Sequence, residues 1–201
     1  MPIYRPFLSA EEQNEWMAKS ADPALSAFID KIITLPAYNG IVNDPFGGLL
    51  LRHSGFINTT GYIVAVRELL MKIDAWSEEI LDVKLLSADS EQIHYGSWQA
   101  RAIIFCEGVG ALSNEFFKWV PIKPLKGETL TIRAFIRGGT IFNRGVYIVP
   151  GDEENVWCVG ATYNNGHYEP GITLQGRNEL ESKLRELICV PYEIIDHKWG
   201  L

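Results

Sequence analysis

Residues 127–163, GETLTIRAFIRGGTIFNRGVYIVPGDEENVWCVGATY, decide the fold. Three extended runs stand in it, Thr129 to Ile136, Val146 to Val149 and Val156 to Tyr163, with Gly138-Gly139 and Gly151-Asp152 as punctuation. Strands joined by glycine turns predict a substantial antiparallel sheet. Downstream, a helix over about Leu174 to Ile188 turns Leu180, Leu184 and Leu187 inward, while Glu179/Lys183 and Glu181/Arg185 lie four apart on its wet side. A closing strand runs from Glu193 to His197.

Upstream, Ser9-Ala10-Glu11-Glu12 is a capping box that opens a helix through about Lys19. Asp22 and Pro23 supply a second start, and Leu25, Phe28, Ile29, Ile32 and Ile33 recur on one face until Pro36, which predicts a second amphipathic helix. Gly47-Gly48-Leu49-Leu50-Leu51-Arg52 reads as a strand. Thr59 then caps a helix whose inner face is Ile63, Val66, Leu70 and Ile73. Extended runs at Ile80 to Leu86, Gln92 to Tyr95 and Ala102 to Cys106, separated by Ser87-Ala88-Asp89-Ser90 and Gly96-Ser97, predict a small meander. The order of elements argues α+β, with a mixed, mainly antiparallel sheet and flanking helices, rather than a regular βαβ winding.

The chain has 201 residues, 47% hydrophobic and 21% charged, which is the composition of a folded domain and excludes disorder, collagen and coiled coil. A net charge of −7 with 18 scattered basic residues argues against a nucleic-acid partner. No run approaches the ~18 apolar residues of a membrane span. The start, Met1-Pro2-Ile3-Tyr4-Arg5-Pro6, lacks the apolar region of a signal peptide. Cys106, Cys158 and Cys189 are odd in number and far apart, so a disulfide framework or zinc ribbon does not fit, and a reducing, cytoplasmic setting is expected.

Candidate chemistry is sparse. Gly108-Val109-Gly110-Ala111-Leu112-Ser113 nearly matches the dinucleotide fingerprint, but Ser113 replaces the third glycine and Pro121 ends the following segment early. A strand-end glycine turn passing close to a ligand is the better reading. His53, His94, His167 and His197 are not at metal-ligand spacing, and Ser54 and Ser113 lack a nucleophile-elbow pattern. Cys106 and Cys158 fall in apolar runs read as strands, where a thiol packs inertly. Glu128 reads first as a solvated strand-end carboxylate and second as a site residue. Tyr147 is either core or a phenol aimed into a pocket, and both readings stand.

The ordered set of segments resembles the D-amino-acid oxidase and glycine oxidase type of FAD-dependent oxidoreductase. Ala102 to Gly110 is similar to the family's apolar strand and glycine turn beside the flavin. Pro124-Leu125-Lys126-Gly127-Glu128-Thr129-Leu130 resembles its Pro-x-x-Gly-Gln strand start, Val146-Tyr147-Ile148-Val149-Pro150-Gly151 its Tyr-Ile-hydrophobic-Pro strand, and Val159-Gly160-Ala161-Thr162-Tyr163 its return strand. Phe46 to Leu49 and Gly55 to Thr59 are similar to its strand and helix entry. Glu107 stands where the family usually has threonine, and Glu128 where it has glutamine.

The resemblance implies amine or amino-acid oxidation with hydride transfer to FAD, a small-molecule substrate, and three segments. Residues 1–55 and 118–201 would form the substrate-binding domain, and 56–117 a partial FAD-domain segment carrying the meander. It implies cofactor contacts at Val83, Gly108 and Val109 and a substrate contact at Tyr147. The family's G-x-G-x-x-G turn and its Gly-x-Arg-Pro do not occur in these 201 residues, so the chain resembles the middle of such an enzyme. As a separate chain it is expected to be inactive, to bind little or no FAD, and to self-associate through apolar surface. The alternative is a stand-alone, non-catalytic ligand- or protein-binding module built on the same sheet.

Overall fold

The computed structural model describes residues 1–165 and 170–201. The chain divides into two compact units, Met1–Phe56 with Leu125–Leu201, and Ile57–Pro124.

The larger unit opens with strand β1 (Ile3–Pro6) and helix α1 (Ala10–Lys19). Ser9 caps α1 by accepting from Glu12 N at 3.2 Å, and the Glu12 carboxylate reaches back to Leu8 N at 2.8 Å. Asp22 caps α2, as the sequence predicts, but α2 covers only Pro23–Ser26. The expected continuation to Pro36 is instead strand β2 (Ile29–Ile33), paired antiparallel with β3 (Gly48–Leu51) through a bulge between Ile29 and Lys31. Three β-branched isoleucines in five residues fit a pleated surface better than a helix. The helical spacing of Leu25 to Ile33 yields to that pairing.

The smaller unit contains helix α3 (Thr59–Lys72), capped by Asn58 rather than Thr59: the Asn58 side chain accepts from Gly61 N at 2.9 Å. None of α3 is buried, and Ile63, predicted to face inward, is 64% exposed. The meander exists with shifted members: β4 (Ser87–Ala88), β5 (Ile93–Tyr95) and β6 (Trp98–Ala100), all antiparallel. Residues 80–86 hold a 3-10 turn at Val83–Leu85 instead of a strand, since the Asp82 carboxylate accepts from Lys84 N and bends the chain. Ala102 to Cys106 is not a strand, and Cys106 is exposed. A second 3-10 stretch, Gly108–Ser113, follows it.

The remainder of the larger unit is β7 (Leu125–Ala134), β8 (Ile141–Arg144), β9 (Val146–Pro150), β10 (Val156–Gly160), β11 (Asn164–Asn165), α4 (Leu174–Leu187) and β12 (Tyr192–Gly200). These join β1–β3 in a nine-stranded sheet that runs β7-β10-β9-β8-β1-β3-β2, with β11 and β12 also on β7. β1–β8 is parallel and the other pairings are antiparallel. The sheet is therefore mixed and mainly antiparallel. β8 was not anticipated from the sequence, because the turn at Gly145 leaves it only four residues.

One face of the sheet packs on α4. Leu180, Leu184 and Leu187 are buried against Leu130, Ile132, Ile148, Trp157 and Val159. Each fully buried leucine is worth roughly 1.5–3 kcal/mol as an upper estimate. On the outer face of α4, Lys183–Glu179 and Arg185–Glu181 pair four residues apart, as the spacing requires. The same core takes in Tyr4, whose hydroxyl donates to the buried Asp44 at 2.8 Å; Asp44 also accepts from Ala37 N and Tyr38 N.

Candidate functional site

The strand registers place Asn143, Tyr147, Gly160, Thr129 and Lys198 directly opposite one another across β8, β9, β10, β7 and β12. Directly opposite residues share a face, and this row lies on the side away from α4. The next row brings together Val149, Cys158, Thr131 and Asp196. Tyr147 is half-buried, and no described residue hydrogen-bonds its hydroxyl. Burial pushes the phenol above its ordinary value, and the neighbouring Cys158 and Tyr163 add to the rise. Cys158 is half-buried, and its thiol is likewise raised by burial despite Lys198 and a hydrogen bond with Thr129. A neutral phenol whose hydroxyl has no partner among the described residues can fix a polar group of a small ligand.

A second cluster lies on the α4 face. Glu128 is not the solvated strand-end carboxylate read from the sequence: it is 3% exposed. Positions 126, 128, 130 and 132 alternate onto the buried side of β7, so Lys126 and Glu128 enter the interior beside Leu130 and Ile132. Glu128 Oε2 accepts from Thr173 N at 2.9 Å and Oε1 from the Thr173 hydroxyl at 2.7 Å, while Lys126 Nζ stands 3.1 Å from Oε1. Thr173 in turn accepts from Gly176 N at 2.9 Å, capping α4. His197, with a 7% exposed side chain, brings Nε2 within 2.8 Å of Glu128 Oε2, but off the hydrogen-bonding direction. Burial pushes the Glu128 carboxyl up, and the donors from Thr173 and Lys126 more than offset this, so it is held below the ordinary glutamate range. Lys126 and Thr173 carry no site reading in the sequence; the period of two that Lys126 and Glu128 share with Leu130 and Ile132 is the signal that could have found the first.

In the smaller unit, Val83 is half-buried and begins its 3-10 turn, its carbonyl accepting from Leu86 N at 3.3 Å. Gly108 has φ +55°, a conformation that favours glycine, and a Cβ there would meet nothing within 4 Å. Val109 follows, half-buried, within the same 3-10 stretch. Glu107 accepts from the buried Asn114 side chain at 2.8 Å, closing the stretch between them. Open backbone at Gly108 fits a cofactor contact made by main chain rather than side chain. Because these residues are 3-10 rather than an α-helix entered from a strand, they form no dinucleotide fingerprint. Gly108 and Val109 belong to one segment, Val83 to another part of the same unit, and Tyr147 to the larger unit.

Among the described residues, no three His, Cys, Asp or Glu side chains are grouped to hold a metal ion, and no helix is long and apolar enough to cross a membrane. His94 pairs with Asp89 at 2.8 Å within the meander, and His167 lies outside the described residues.

The larger unit is a mixed sheet backed by α4, with Tyr147 half-buried on the face away from that helix. The chain belongs to the FAD dependent oxidoreductase (DAO) family, whose pattern it matches over residues 3–201. In fold it is similar to glycine oxidase from Geobacillus kaustophilus, with a TM-score of 0.68 at 17% identity over 99% of this chain and 58% of that one. It is also similar to glycine oxidase from Bacillus cereus, with a TM-score of 0.60 at 14% identity over 99% of this chain and 60% of that one. The chain thus spans less than two thirds of the length of either structure.

Proposed function

We propose that these residues form the substrate-binding part, and a share of the cofactor-binding part, of an oxidase acting on a small amine or amino acid. The observation that carries this reading is the Tyr147 hydroxyl, half-buried on the open sheet face without a described partner. There it donates to a polar group of the substrate, and burial keeps it protonated across the neutral range. Bound FAD supplies the acceptor for the hydride leaving the substrate carbon. Val83, Gly108 and Val109 meet that cofactor through main chain, Gly108 by offering bare backbone to close approach. The 201 residues alone are inactive in this reading. A second copy of the chain covers part of the exposed apolar surface of α3, an association that sedimentation velocity reads directly.

The test uses the protein encoded by the complete reading frame around these codons. Bleaching of its oxidised flavin band on anaerobic addition of glycine or other amino acids is the expected result, with Tyr147→Phe raising KM about tenfold, the scale of one neutral hydrogen bond. A reading frame that ends with these residues, encoding a protein that holds no flavin, overturns the proposal in favour of a non-catalytic binding module.

A further inference from the structure

We propose that Gly160 is the positioning residue for Tyr147: the missing side chain at 160 is the seat in which the phenol lies. The inference rests on the substrate-binding reading of Tyr147 for its functional meaning, though not for its geometry. Gly160 stands in the middle of the row Asn143, Tyr147, Gly160, Thr129, Lys198, directly opposite both Tyr147 on β9 and Thr129 on β7. It alone in that row has no side chain. A Cβ built on Gly160 would collide with the hydroxyl and Cζ of Tyr147, and would come within 2.9 Å of Thr129 Cγ2.

Cβ positions of directly opposite residues are roughly 4.5–5.5 Å apart. A tyrosine whose far end occupies its partner's Cβ position is therefore lying flat across two strands, not standing away from the sheet. This posture explains why a residue on the open face is only half-exposed and why its phenol is raised by burial. It also fixes the height at which the hydroxyl meets a ligand, close to the sheet and over β10. Any side chain at 160 lifts the ring, changing the hydroxyl's position and exposing it to water.

The experiment is done on the 201-residue chain by NMR with ring-labelled tyrosine, the Tyr147 signal being assigned by its loss in Tyr147→Phe. In the unsubstituted chain, a cross-peak between the Tyr147 ring and Gly160 Hα is expected, together with a ring-current shift of that Hα that disappears in Tyr147→Leu. In Gly160→Ala, the Tyr147 titration is expected to fall back toward an ordinary tyrosine. Glycine, titrated as the probe into the protein encoded by the complete reading frame, is expected to bind about tenfold more weakly to Gly160→Ala and to Tyr147→Leu, and no more weakly to the double variant, because both remove one interaction. Absence of the Gly160–Tyr147 cross-peak overturns the proposal, and this measurement stands even where Gly160→Ala fails to fold. A folded Gly160→Ala chain whose Tyr147 titration is unmoved also overturns it. Loss of the seat with unchanged glycine binding upholds the positioning geometry and overturns the substrate reading instead.

Discussion

The Glu128 carboxylate grips Thr173 with both oxygens, accepting from its backbone N at 2.9 Å and from its hydroxyl at 2.7 Å, and thereby ties β7 to the first turn of α4. The carboxylate's negative charge also lies near the positive end of the helix dipole. Gly176 makes room for it, since a Cβ there would meet the carboxylate carbon at 2.6 Å.

Removing that carboxylate strands a buried lysine. Glu128→Ala is expected to cost about 3–5 kcal/mol, because Lys126, 3% exposed, loses its counter-charge. The double variant Lys126→Met/Glu128→Leu is expected to recover much of the loss, as replacing a buried pair with apolar groups is often near neutral. Urea denaturation of the three chains checks both statements.

Acid should loosen the same contact. Glu128 is held below the ordinary glutamate value of 4.5, so near that value the unfolded chain binds more protons than the folded one and stability rises with pH. Its contribution is complete above the unfolded value and is lost as pH falls through the lower, folded value. Glu12 acts in the same direction: burial pushes it up, but donors from Arg144 and Leu8 N and the charge of Arg5 outweigh this. Denaturation curves between about pH 7 and pH 3 should therefore show a shallower loss for Glu128→Gln than for the unsubstituted chain, with the Glu12 share remaining.

What was legible in the sequence was whatever local chemistry settles alone. Ser9 and Asp22 cap their helices as written, and the leucines of α4 face inward because a long amphipathic helix has one solution. Ile29–Ile33 misled because its spacing suits a helix while its pairing partner, Gly48–Leu51, lies well downstream. Ala102–Cys106 is as apolar as a strand but pairs with no strand among the described residues. At the candidate site, Tyr147 was visible from its strand, whereas the seat at Gly160 and the approach of His197 to Glu128 depend on registers between strands that no local pattern carries.

Two leucine-sized truncations should separate the helices. Leu184→Ala, at a fully buried position of α4, is expected to cost about 2–5 kcal/mol. Leu69→Ala, on α3 where the side chain is 58% exposed, should change stability by no more than about 0.5 kcal/mol. Unfolding of the larger unit, followed by the fluorescence of Trp157, whose indole donates to Ala134 O at 3.1 Å, reads the first, and amide exchange along α3 reads the second.

Flavin retention is the sharpest test of how the cofactor would be held. In dinucleotide-binding folds the pyrophosphate sits at an α-helix N-terminus entered through a glycine turn. Gly108–Ser113, the near match in these residues, is a 3-10 stretch closed by Glu107 and Asn114, with its open glycine offering one bare patch of backbone. Such a patch supplies little binding energy alone. The 201-residue chain, mixed with excess FAD and passed through gel filtration, is expected to emerge without a flavin absorbance band. Glu107→Ala should leave that result unchanged while loosening the Gly108–Ser113 stretch, read as faster amide exchange there. A flavin band that co-elutes with the chain would overturn this expectation.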